Sequence, residues 1–142
     1  MKVVTTEPLS NGTLKQDFIS LQNHLTLWRI KMNNFELFTM MFFTLDIQYK
    51  KFNTDEKLAN YLSSLNPFLW DDCRSADPAC FYEFEEFMKG KTIDDDYGYS
   101  LALDFLRLNK YSKGMDKYFL MTPLEKYVEG AKKYLSKPHK GE

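Results

Sequence analysis

The sequence predicts an all-α, single-domain bundle of about six helices, and three observations point there. Apolar residues recur at intervals of three and four along most of the chain. Residues able to cap a helix stand just before those periodic stretches, two of them followed by proline. The third observation is length: 142 residues, without a linker or internal repeat, suit one domain that buries roughly two-thirds of its unfolded surface. Flexible ends are expected at 1–12 and 137–142.

Leu14, Phe18, Leu21, Leu25, Trp28 and Met32 form one stripe, so a first helix of about 19 residues follows Thr13 as its cap. Asn33-Asn34 interrupts it. From Phe35 to Tyr49 apolar residues occur on almost every side, which describes a central helix buried all round. A strand pair over 34–50 competes, since Phe42-Phe43-Thr44 favours β. Leu58, Tyr61, Leu62 and Leu65 give a third helix entered at Asn53 or Thr54, with Asp55 and Glu56 at its positive end. Asp77 followed by Pro78 opens a fourth, with Phe81, Phe84 and Met88 facing inward and Gly90 ending it. Asp94-Asp95-Asp96 opens a fifth, with Tyr97, Leu101, Phe105 and Leu108 on its stripe. Thr122-Pro123-Leu124-Glu125 reads as a capping box with proline at the first helical position, opening a last helix through Leu135. Residues 66–76 and 109–121 are left as the longer loops, and the tail from Pro138 is expected to fray.

Most chemistry is excluded by what the chain lacks. There is no phosphate loop, HExxH or CxxC, so no cofactor or metal is expected. His24 sits beside an apolar stripe and His139 in the tail, which leaves no histidine-based triad. Cys73 and Cys80, seven apart, match no zinc spacing and read as thiols in a reducing cytoplasm. Adjacent helical residues point about 100° apart, so Asp94, Asp95 and Asp96 cannot converge on one ion and cap a helix instead. Asn11-Gly12-Thr13 matches a glycosylation sequon, but reads as a turn and cap. The greasiest run, Leu37 to Leu45, is about half a membrane span, and the first residues lack an apolar signal core. The expected location is cytoplasmic.

Charge carries the functional reading. Residues 1–68 hold seven basic and six acidic side chains, 69–104 three and ten, and 105–142 nine and four. Lys126, Lys132, Lys133, Lys137 and Lys140 would be a nucleic-acid surface only against the acidic centre and without interleaved aromatics, so no nucleic acid is expected. The acidic block pairs carboxylates with aromatic bulk: Trp70, Asp71, Asp72, Tyr82, Glu83, Glu85, Glu86, Asp94, Asp95 and Asp96 form the candidate partner-binding set. On the fourth helix Tyr82, Glu83, Glu85 and Glu86 lie opposite the inward residues, a face suited to a basic partner. Trp70 could equally be core, with the acids only solvating it.

The run Leu58 to Trp70, with Ser75-Ala76-Asp77-Pro78-Ala79-Cys80-Phe81-Tyr82-Glu83-Phe84 and Asp96-Tyr97-Gly98-Tyr99, resembles small bacterial proteins, some of them immunity proteins of polymorphic or contact-dependent toxin systems. The resemblance covers about residues 55–108 and carries no catalytic signature. It implies a cytoplasmic, non-enzymatic protein that binds a cognate, basic toxin domain and occludes its active or substrate-binding site. Two alternatives stand beside it: a helical structural or regulatory protein that binds another partner or itself, and an enzyme using a metal held by carboxylates.

Overall fold

A computed structural model describes residues 31–139, of which 32–139 belong to the unit that begins at Met32. The described residues are all-helical, with no strand among them. The predicted first helix lies outside the described residues except for its end, where Met32 is buried coil ahead of the next helix cap.

Helix α1 (Asn34–Tyr49) is the hub, packed against every helix up to residue 119. It opens on a reciprocal cap. Asn33 accepts from the Glu36 amide and Glu36 accepts from the Asn33 amide, both at 2.8 Å. That cap and the apolar residues on all sides decide against a strand pair: Leu37, Phe38, Met41 and Leu45 are fully buried. The two threonines inside this buried helix are satisfied locally, Thr39 donating to the Phe35 carbonyl and Thr44 to that of Met40.

Helix α2 (Glu56–Leu65) starts later than the sequence suggested. Its cap is Asp55, which accepts from Lys57 and Leu58, rather than Asn53 or Thr54. Tyr118 also donates to Asp55, which holds that carboxyl below the usual range and pushes the Tyr118 hydroxyl up. Helix α3 (Pro78–Met88) begins as expected, with Asp77 accepting from Ala79 and Pro78 at the first helical position. Phe81 and Phe84 meet Phe35 and Phe38 edge to face at 5.2–5.6 Å between ring centres, and Phe84 continues the cluster to Phe105 at 5.1 Å. Gly90 follows in the left-handed region, ending the helix.

Helix α4 (Tyr99–Leu108) departs from expectation at both ends. Of the acidic triplet only Asp96 serves the helix, accepting from Gly98 and Ser100. Asp94 and Asp95 begin the turn that leads into the helix, the Asp94 carbonyl accepting from the Tyr97 amide. Leu108, expected on the core stripe, is 75% exposed, and Ala102 and Leu106 are buried instead. The expected loop 109–121 is structured: a 3₁₀ turn (Lys110–Ser112) and α5 (Asp116–Phe119) fold Ser112, Met115, Tyr118 and Phe119 into the core.

Helix α6 (Leu124–Leu135) has no side-chain cap, so the expected Thr122/Glu125 box does not form. Pro123 occupies the cap position itself, one place earlier than expected, and the Thr122 carbonyl accepts from the Tyr99 hydroxyl. Tyr127 anchors the helix by donating to the Tyr97 carbonyl at 2.8 Å from a fully buried site. Beyond Pro138, His139 stacks on Tyr134 and lies 3.3 Å from Glu36, so the packing continues past the point where fraying was expected.

Candidate functional site

The structure distributes the candidate partner-binding residues over three elements. Phe68, Leu69 and Trp70 are about half exposed in the loop after α2, and Asp71 and Asp72 follow them on the surface. Trp70 is therefore not core. The loop is held from below: Asn66 accepts from the Phe68 amide, and the Phe68 ring stacks on Phe43 of α1 at 5.6 Å.

On α3, capped by Asp77, the inward pull of Phe81, Phe84 and Met88 turns Tyr82, Glu85 and Glu86 outward. Tyr82 is 63% exposed. Glu83 does not share this face: it is half-buried on the flank, where its carboxylate accepts from the Asn109 side chain at 3.4 Å. Asp94 and Asp95 project from the turn before α4, while Asp96 is committed to capping.

The acidic block stays largely unneutralised. Among the described residues its one ion pair is Glu86 with Lys89 at 2.8 Å, one turn apart on α3. The other two ion pairs, Arg107 with Asp116 and His139 with Glu36, do not involve it. The acidic and basic blocks thus do not screen each other by direct pairing.

Sequence reasoning missed a cleft of about 740 Å³ between α2, α3 and the 109–115 segment. Lys57, Lys110 and Lys113 line it together with Asp77 and Glu83, over a floor that includes Tyr61, Phe105 and Met115. Charges of both signs on its walls favour neither an anion nor a cation. Cys80 opens into it, and burial, reinforced by Asp77 and Glu83, pushes its thiol up to about 11. The thiol therefore stays protonated near neutrality, the opposite of what a nucleophile requires. No spacing signal marked this cleft, because its far wall is the segment that read as a loop.

No family model, curated protein or solved structure matches this chain. Among the described residues no three His, Cys, Asp or Glu side chains gather where they could hold one metal ion. None of the described helices is long and apolar enough to cross a membrane. Cys73 and Cys80 are both thiols, not bridged to one another. Exposed aromatics stand beside carboxylates on α3, where Glu86 pairs with Lys89, and in the 68–72 loop.

Proposed function

We propose that this chain is a non-enzymatic binding protein of the immunity type, acting in the cytoplasm. It neutralises a basic toxin domain by forming a complex that occludes the toxin's active or substrate-binding surface. One observation carries the reading: among the described residues the exposed carboxylates of the 69–104 block form no ion pair apart from Glu86–Lys89. Such a field attracts a cationic surface at long range, raising association from about 10⁵–10⁶ toward 10⁸ M⁻¹s⁻¹ at low salt. Tyr82, projecting between Glu85 and Glu86, supplies the aromatic anchor that slows dissociation once the partner has arrived.

The test is capture from a lysate of the source organism with the tagged full chain, compared with Glu85→Lys/Glu86→Lys. Wild type retains one basic protein, high salt releases it, the variant does not hold it, and added wild-type chain suppresses that protein's toxicity at one-to-one ratio. Nothing retained at low salt, or equal retention by the variant, refutes the reading.

A further inference from the structure

We propose that the surface running from the Phe68–Asp72 loop, across the middle of α1, to α6 is where a second copy of this chain docks. The two copies are related by a two-fold axis that sets Asp71 and Asp72 of each against Lys133 and Lys137 of the other.

Three observations combine. The first is an apolar centre. Phe43 of α1 is flanked by Phe68 at 5.6 Å and Tyr134 at 5.6 Å, so the loop and α6 are joined by one aromatic row. Leu69 is 56% exposed beside this row and Ile47 is 62% exposed on the same stretch of α1. Single exposed apolar residues are ordinary, but Ile47, Phe68 and Leu69 stand exposed around a half-buried aromatic row that links three elements, and such a cluster marks a contact surface.

The second observation is a groove of about 280 Å³ between α1 and α6, floored by Met40, Phe43, Tyr127 and Tyr134 and left open at Gly130. The chain's own packing does not demand a glycine there. An added Cβ would meet only the Met40 Cε, at an ordinary 3.8 Å. The missing side chain leaves room for one from outside, at a cost to the helix of about 0.5–1 kcal/mol relative to alanine.

The third observation selects the occupant. Asp71 and Asp72 are exposed three and four residues beyond Phe68, in the loop at one end of the aromatic row, and Lys126, Lys133 and Lys137 line the groove at α6, the row's other end. Among the described residues none of these five has an ion-pair partner. A ligand of one sign would satisfy one end and be repelled by the other. A second copy turned by a two-fold axis satisfies both ends with the same contact made twice, which is the isologous geometry of most soluble dimers. It also brings Leu69 of each copy over the Gly130 groove of the other, an exposed apolar side chain matched to an open apolar slot.

Sedimentation of the full chain over a range of concentrations tests this without an unknown ligand. Wild type forms a dimer at low salt that weakens as salt is raised. Asp71→Lys/Asp72→Lys makes both ends basic, and Lys133→Asp/Lys137→Asp makes both acidic. Each reversal sets like charges face to face and weakens self-association by about a hundredfold. An equimolar mixture of the two variants re-forms a dimer, because every acidic end then meets a basic one; this also shows that both variants are folded. Glu85→Lys/Glu86→Lys leaves the dimer intact, so failure here is distinct from failure of the toxin-binding reading. A wild-type chain that stays monomeric to its solubility limit overturns the proposal. So does a dimer that survives both reversals, or a mixture that fails to associate.

Discussion

Replacing Gly98 by alanine should be among the most damaging one-carbon changes in this chain, and its cost separates into two parts. Gly98 sits at φ +81° just before α4, where an L side chain pushes against its own backbone at about 1–2 kcal/mol. An added Cβ would also stand 2.5 Å from Leu37 Cδ1 and 2.7 Å from Cδ2. Leu37 is fully buried in α1, so it cannot swing away without displacing packed neighbours, and overfilling of that kind costs about 1–3 kcal/mol. The sum, about 2–5 kcal/mol, is a large part of the 5–15 kcal/mol that holds a typical domain together. Gly114 provides the control: its φ is +88°, but no atom lies within 4 Å of an added Cβ. Gly114→Ala should lose only the backbone part. Urea unfolding of the full-length variants, with unchanged slope, reads both numbers. Leu37→Ala should be milder when combined with Gly98→Ala than in wild type, since the new methyl fills part of its cavity. Equal losses for the two glycine variants, or additive behaviour of Leu37→Ala, would show that Gly98 is not required by the close approach of Leu37.

Asp77→Ala should cost about 1 kcal/mol in urea unfolding, because the amide of Ala79 loses its acceptor at the head of α3. Gly130→Ala should raise stability by about 0.5–1 kcal/mol, visible as a higher melting temperature, since the added methyl meets only an ordinary contact. Burial raises Cys80 to about 11 and also raises Tyr61 and Tyr127. Groups whose ionisation is pushed up in the folded state hold more protons there than when unfolded, so their contribution is complete below pH 9 and is lost as pH climbs through the folded values. Circular dichroism in denaturant should therefore show stability falling above that point, and a flat profile would contradict the burial of these groups. In a Cys73→Ser background, thiol labelling of Cys80 should be slow near neutrality and accelerate toward pH 11.

Where the determining chemistry is local, the sequence could be read directly. Asp77-Pro78 specifies a helix entry by itself, since the cap acceptor and the missing N–H act within one turn. The burial of α1 from Phe35 to Leu45 was equally visible, because apolar residues lie on almost every side of that stretch, and only beyond it do Asp46 and Ile47 reach the surface. The failures have a common cause. Thr122 does not cap: its carbonyl is tied to the Tyr99 hydroxyl, a partner 23 residues away that the local motif does not reveal, and the helix begins one residue later than the motif implied. Residues 109–121 looked like a loop because a four-residue helix is too short for periodicity to register, yet Met115 and Phe119 are core. Glu83 left the acidic face for the same kind of reason: its flank position became a cleft wall only once Asn109 was placed opposite it. Tyr82, Glu85 and Glu86 needed only helix geometry and were legible.

The separation of charge is the feature that folding alone does not account for. An exposed ion pair contributes about 0–1 kcal/mol, so stability gives little reason either to join the acidic and basic blocks or to keep them apart. Clustering like charges is mildly unfavourable, as each carboxylate of the 69–104 block is repelled by its neighbours and receives little in return from within the chain. At physiological salt that field reaches only about 8 Å, so it acts on whatever surface is nearly in contact. On the proposed reading, association with a partner accounts for an arrangement that costs a little in the isolated chain, acts over contact distances and places exposed aromatic side chains among the charges. Tyr82 on α3 and the Phe68–Phe43–Tyr134 row across α1 supply that apolar component at two different places, one bordered by Glu85, Glu86 and the single cation Lys89 and the other by the Asp71–Asp72 loop and the lysines of α6. A face on which acids outnumber cations suits a partner of opposite charge, and a face bordered by both signs in comparable number suits its own twin.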